Sequence, residues 1–155
     1  MHPACIDYWK RWQSECKRPV TKGRRLYIGR RDAGTRLLVN EQEVLKLLEG
    51  LGFEPIDCST MGFLEQVDAF AEAECIVSIA GAALTNMIFA PSKIPIVCMA
   101  PETMPALFFW DLAVHNRQYF HMMYGRCVDI NNRSIFADFQ IKLPEFKTIL
   151  KQYLN

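Results

Sequence analysis

The sequence predicts an α/β fold, a Rossmann-like layered parallel sheet with flanking helices. Short apolar runs of strand length alternate with segments of helical period, and that alternation implies parallel βαβ units. The clearest helix places Val44, Leu47, Leu48 and Leu51 at i, i+3, i+4 and i+7. The clearest strand, residues 75–79, runs through the small-residue turn Ala80-Gly81-Ala82-Ala83 into a short helix.

The elements follow in order. Residues 4–16 read as a helix with Trp9, Trp12 and Cys16 on one side. Arg18-Pro19 ends it, and residues 20–23 read as linker. Residues 25–30 (RLYIGR) are a first strand, and residues 32–35 a turn. Asn40 is an expected N-cap with Glu43 three residues on, as in a capping box, and the helix stops at Gly52. Residues 53–58 are a second strand. Ser59 or Thr60 is expected to cap a second helix that buries Phe63, Val67, Phe70 and Ala71. Residues 94–99 are a fourth strand, and residues 104–116 a helix with Thr103 placed to cap it. Residues 118–123 are a fifth strand. Pro144 opens a last helix with Phe146, Ile149, Leu150 and Tyr153 inward. The domain reading is an N-terminal helix and linker over residues 1–21 and one Rossmann-like domain over residues 22–155.

A chain of 155 residues is long enough for a proper core. No apolar run reaches bilayer-spanning length, and the N-terminus lacks the charged-then-apolar order of a signal peptide. The six cysteines (5, 16, 58, 75, 98, 127) form no CxxC pair and no zinc spacing. Cys75 and Cys98 sit in apolar strands as small buried hydrophobes. The expected setting is reducing and cytoplasmic, with no metal. Charge is uneven: residues 1–36 carry ten Lys/Arg against three Asp/Glu. Lys10, Arg11, Lys17 and Lys22 read as a solvated helix and linker, whereas Arg30, Arg31 and Arg36 follow a strand.

In parallel sheets, ligands bind beyond the carboxyl ends of the strands. The first strand delivers Arg30 and Arg31 to that rim, the third Ala80–Ala83, and the fourth Pro101 and Glu102. Small residues let a ligand approach the backbone, and the N–H groups opening the next helix favour an anion. Basic side chains and a helix start on one rim suit a diphosphate. There is no GxGxxG fingerprint and no GxxxxGK[ST] loop, so neither a standard dinucleotide enzyme nor a P-loop NTPase is supported.

Read together, YIGRRDAGTRLLVNEQEV, LGFEP and FLEQVDAFAEAECIVSIAGAALTNMIFAP resemble the C-terminal domain of glycosyltransferase family 61 over roughly residues 22–155. The resemblance implies the C-terminal half of a GT-B architecture, which holds the nucleotide-sugar donor. It implies sugar transfer with inversion, without a metal-binding DxD motif, in capsular polysaccharide assembly. By position, Arg30 and Arg36 match the family's arginines, Asn40 and Glu41 its Asn-Glu, Glu65 and Gln66 its Glu-Gln. Gly81, Ala82, Leu84 and Asn86 match its glycine-alanine motif. Ala80 departs from the His that many members carry. Members run to about twice this length, so an acceptor-binding domain is expected to be missing from the chain.

Arg30 and Arg36 are assigned to the diphosphate of the donor, against surface pairing with Glu41 or Glu43. Gly81, Ala82 and Ala83 are its cradle, against simple packing. Asn86 is a ligand contact or a brace to a neighbouring loop. Glu65 accepts a hydroxyl of ribose or sugar, or belongs with Asp68 and Glu72 to a polar helix face. Asn40 and Glu41 read as helix start and dipole complement, His115 and His121 as structural histidines, and Tyr119, Phe120 and Tyr124 as core strand residues. The spacing assigns no catalytic base. The leading expectation is the donor-binding domain of an inverting, metal-independent glycosyltransferase that needs no cofactor beyond its nucleotide-sugar substrate. Its partners would be a glycan acceptor and a separate acceptor-binding domain or a second copy, without nucleic acid, in the cytoplasm and peripheral to a membrane. The alternative is a non-catalytic α/β module that binds a partner protein.

Overall fold

The computed structural model describes residues 3–15, 23–30, 34–105, 107–129, 131 and 134–154. In chain order its elements are α1 (Pro3–Glu15), β1 (Arg24–Ile28), α2 (Glu41–Glu49), β2 (Phe53–Ile56), α3 (Phe63–Ala71) and β3 (Ala73–Ile79). A 3₁₀ helix (Ala82–Phe89) follows, then β4 (Pro95–Pro101), α4 (Leu107–His115), β5 (Tyr119–Cys127), β6 (Phe139–Gln140) and α5 (Leu143–Leu154). The expected Cys16, most of the 20–23 linker, Arg31 and the start of the 32–35 turn lie outside the described residues.

The sheet order is β2-β1-β3-β4-β5-β6. Along that order β2, β1, β3, β4 and β5 pair in parallel, and among the described strands β6 alone is antiparallel. Strands buried on both faces read as continuous apolar runs rather than alternating ones. In β3 and β4, residues 75–80 and 96–101 are buried without a break. Within these runs the even-numbered apolar residues join Ile6, Val67, Phe70, Leu84, Met87 and Leu112 on the side of α1, α3, the 3₁₀ helix and α4. Odd-numbered ones join Val44, Leu48, Phe53, Phe146 and Leu150 on the side of α2 and α5. Each fully buried Leu, Ile or Phe contributes roughly 1.5–3 kcal/mol. Burial pushes the Cys75 and Cys98 thiols up to about 12, so both behave as apolar filler.

α1 belongs to this layering. Ile6 is buried, the Trp9 ring packs edge-on against Trp12, Phe63 and Phe89, and Gln13 Nε2 donates to Phe89 O at 3.1 Å. Phe63, expected fully inside, is half exposed at the edge of this aromatic cluster. Part of the N-terminal basic excess is neutralised: Arg24 pairs with Glu54 and Glu72, and Arg25 with Glu74. Among the described residues, no helix is long and apolar enough to cross a membrane.

Helix starts depart from the sequence reading. Asn40 does precede α2, but its side chain makes no cap bond. Its amide instead spans Ile141, donating to Ile141 O at 3.0 Å and accepting Ile141 N–H at 3.2 Å. α3 is opened by Gly62, whose N–H donates to Glu65 at 2.6 Å. Ser59 and Thr60 are occupied upstream by Asp57. Thr103 lies four residues before α4 and donates to Ser134 O. β5 runs on to Cys127, and Tyr119 and Tyr124 project outward while Phe120 and Met122 pack against the core. β6 was not expected. Two residues carry no periodicity, and this strand exists through its pairing with β5 and the Leu38–Phe139 bridge.

If Asn40 were a cap, serine would serve nearly as well. Bridging both polar groups of a buried Ile141, it has no hydroxyl substitute. Asn40→Ser and Asn40→Ala are both expected to lower stability by about 2 kcal/mol in urea unfolding. A neutral Asn40→Ser would contradict the bridging role.

Candidate functional site

From β1 the chain passes to β2 on one side, then crosses back through α3 to β3 on the other. α2 and α3 therefore cover opposite faces, and the layers part beyond the carboxyl ends of β1 and β3. Such a reversal of strand order leaves a crevice where α/β sheets bind ligands. Here it is a cavity of ≈ 410 Å³, bounded by residues after β1 (Gly29, Arg30), after β2 (Asp57, Cys58, Ser59) and after β3 (Gly81, Ala82, Ala83). Gln66, Thr85 and Asn86 close its side.

The β3 turn is small because Arg30 lies on it. A Cβ on Gly81 would collide with Arg30 Nη1 and sit 3.3 Å from its Cδ and Cζ. Arg30 Nε is buried without a hydrogen-bond partner, and among the described residues Arg30 forms no ion pair. Behind the turn lies Arg36, only 6% exposed, in the left-handed region at φ 57°. It donates to Ala80 O and to Ile135 O, and its guanidinium faces the Phe136 ring at 5.6 Å. Burial, and then the nearby Arg30 charge, lower its pKa. Among the ion pairs of the described residues, none joins either arginine to Glu41 or Glu43. Glu41 accepts the Tyr27 hydroxyl at 2.8 Å and lies against Gly29.

The 3₁₀ helix starts at this turn. Its first bond runs from Leu84 N–H to Gly81 O, so the N–H groups of Gly81, Ala82 and Ala83 precede the helical ladder. Leu84, Met87 and Ala90 are buried at intervals of three, the period of a 3₁₀ rather than an α-helix. Asn116 and Gln118 donate to Met87 O and Ala90 O and fix the far end. Asn86 is braced by Gln66: Asn86 Nδ2 donates to Gln66 Oε1 at 2.7 Å. Gln66 Nε2 donates to Cys58 O and Met61 O.

Of the residues singled out in the sequence, Arg30, Gly81, Ala82, Ala83 and Asn86 line one cavity. Arg36 stands behind it, bonded to its turn. Glu65 is not among the lining residues and spends its carboxylate on the start of α3. Pro101 and Glu102 share the rim without lining the cavity. His115 pairs with Asp111 at 3.3 Å, and His121 lies edge-on to Tyr153. The sequence reading missed Asp57, Cys58 and Ser59. Their signal was position alone, directly after the second strand. Burial and Asp57 raise the Cys58 thiol above its ordinary value.

Residues 3–98, more than half of the chain, match the family described as Glycosyltransferase 61. The match begins in α1 and ends within β4, and it contains every residue of the cavity wall. No curated protein matches the chain.

The contact between Arg30 and Gly81 has a spectroscopic consequence. The buried Arg30 Nε–H is expected to exchange slowly with water in ¹⁵N spectra. In Gly81→Ala the added methyl group displaces the guanidinium and exchange becomes fast, with the fold retained. Slow exchange in that variant would show that Arg30 does not rest on the turn.

Proposed function

Since this chain belongs to the glycosyltransferase 61 family, we propose that the cavity between β1 and β3 receives the diphosphate of a nucleotide-sugar donor. One observation carries the reading. Two arginines meet at a small-residue turn, and their described partners are neutral carbonyls or none. Arg36 is buried and Arg30 half-buried with its Nε covered, and an unpaired charge in such surroundings is costly. A diphosphate supplies the missing negative charge.

On this reading the reaction is sugar transfer with inversion to a hydroxyl of a glycan acceptor, and no metal is required. The acceptor oxygen bonds the sugar's anomeric carbon as the bond from that carbon to the diphosphate oxygen breaks, the hydroxyl proton passes to a base outside this cavity, and negative charge grows on the departing diphosphate. Arg30 meets that charge directly, and the N–H groups of Gly81, Ala82 and Ala83 meet it from the helix start. Arg36 acts through the turn. Because C=O and N–H of a trans peptide point oppositely, holding Ala80 O behind the turn aims Gly81 N–H away from Arg36. Loss of one such fixed donor costs roughly 10²–10³ in kcat. Asn86, oriented by Gln66, is a further donor contact. Glu65 serves the site by fixing the start of α3, the helix that carries Gln66.

A second reading, a partner-binding module, draws on exposed apolar residues around the rim. Val39, Tyr124, Val128 and Phe136 are each half exposed or more. They suit a separate acceptor-binding domain in a glycosyltransferase as well as a partner of a non-catalytic module, so response to nucleotide separates the two.

Thermal unfolding of the chain with UDP, GDP, CDP, ADP and the corresponding nucleotide sugars tests the proposal. Ligand at 100 times its Kd stabilises the native state by about 2.7 kcal/mol, a shift of several degrees. One base is expected to give that shift and Arg30→Ala to abolish it. Arg36→Met is expected to lower the melting temperature of the free protein as well as the shift. No shift with any of these at millimolar concentration, alongside a stable dimer or complex, would favour the module reading. A full shift in Arg30→Ala would remove Arg30 from the site.

A further inference from the structure

The outer edge of β5 is open along most of its length. β4 pairs with residues 119–125 on one side, whereas on the other β6 reaches only Arg126 and Cys127. Tyr119 N–H donates to Ile94 O, and Gly125 O accepts Glu102 N–H, so the odd-numbered residues of β5 turn their backbone groups toward β4. The residues between them then turn theirs the other way. The N–H and C=O groups of Phe120, Met122 and Tyr124 face outward, and among the described residues nothing pairs with them. We propose that a second copy of this chain pairs with that edge, β5 against β5 in antiparallel register, joining two sheets into one.

The edge lacks the devices that keep strands apart, which are Lys, Pro, a bulge or a covering element. Residues 118–125 (QYFHMMYG) contain no Lys, Arg, Asp, Glu or Pro, and β5 runs along β4 without a register shift. A charged partner finds no counter-charge on this stretch, and an identical copy brings no charge to bury there. The open stretch is also centred on Met122. With Met122 opposite its counterpart, each Phe120 meets the Tyr124 of the other copy, and every such pair exchanges two hydrogen bonds. All the open groups of the edge are then satisfied, and the pairing stops short of β6 in both copies. The two Phe120–Tyr124 pairs share one face of the joined sheet, where cross-strand aromatic pairs are favourable.

α4 extends the surface. It packs against β5, and it leaves Leu107, Phe108, Trp110 and Val114 exposed. With Tyr119 and Tyr124 they offer on the order of 600 Å² of apolar surface, an aromatic side chain bringing 150–250 Å² when fully exposed. A standard interface takes about 800 Å² from each partner, and the paired backbone supplies the difference. Two-fold symmetry sets the same residues against one another, so apolar surface meets apolar surface. β4 stands between β5 and the strands of the cavity, so the dimer leaves the cavity open and is independent of the donor-site reading.

Sedimentation of the full chain from low to high micromolar concentration, with amide hydrogen exchange at both ends of that range, tests the pairing. A reversible dimer is expected, with the Phe120, Met122 and Tyr124 amides protected at high concentration and exchanging freely on dilution. Tyr124→Lys, at a half-exposed side chain, is expected to weaken the dimer roughly tenfold, because one substitution falls twice on a symmetric interface. Tyr119→Lys is expected to act in the same direction. Arg117 and Arg126 bracket the open stretch and approach those of the other copy, so added salt is expected to tighten the dimer. A monomer at every concentration overturns the proposal, and its recovery on anionic vesicles would assign the apolar surface to lipid instead. A dimer that both Lys variants leave unchanged, with the three amides exchanging freely, places the contact elsewhere and overturns it. A dimer that salt dissociates overturns it too, because ion pairs and not an uncharged edge would then hold the copies together.

Discussion

Arg36 carries a full charge in a nearly closed environment, and what it binds is backbone. Its guanidinium reaches Ala80 O on one side and Ile135 O on the other, under the ring of Phe136. Three segments distant in sequence are thereby locked at one point: the loop after β1, the turn after β3 and the loop before β6. The same loops pair along their length. Arg36 N–H donates to Phe136 O, Leu37 N–H to Asp138, Val39 N–H to Phe139 O, and Leu38 bridges Phe139. Asn40 continues the seam into Ile141. A bonded but uncompensated charge strengthens any anion site within reach, because the low-dielectric surroundings screen it weakly. The cavity lies one turn away.

The topology explains why the cavity is there. The chain visits β2 before crossing to β3, so α2 and α3 lie on opposite faces and the rim between β1 and β3 opens where they part. What fills that gap is short: Gly29 and Arg30 after one strand, Ala80 to Ala83 after the other. Gly81 carries no side chain because Arg30 occupies that space, and Gly29 has Glu41 Oε1 2.7 Å from where its Cβ would be. Both glycines answer to neighbours rather than to unusual backbone angles. The proposed diphosphate contacts and the packing needs of the turn therefore fall on the same few residues.

Much of this was legible because it is repetitive. Doubly buried strands such as residues 75–80 and 96–101 announce themselves as apolar runs, and α2 and α5 carry clear helical periods. The alternation fixed a parallel sheet, and a parallel sheet places its ligands at the carboxyl rim. That is how Arg30, Gly81 and Asn86 could be named together. What was not legible depends on tertiary partners. Asn40 has the sequence context of a cap, yet a strand-to-helix joint a hundred residues on captures its amide. Glu65 stands three residues past a glycine, where carboxylates bond the first N–H of a helix, and its charge is spent there. β6 is too short for any pattern. Asp57 gives no signal as a lone acid after a strand until the sheet order shows that β2 borders the same cavity as β3.

Nucleotide binding at the β1–β3 crossing, as proposed, is tested by amide hydrogen exchange of the chain with and without the stabilising nucleotide. The account predicts new protection confined to residues 29–30, 57–59 and 81–86, strongest at the Gly81, Ala82 and Ala83 amides that open the 3₁₀ helix. Protection centred instead on the groove between Asn40, Arg126, Lys142 and Leu143, with residues 81–86 unchanged, would place the ligand on the other face of the sheet and contradict it.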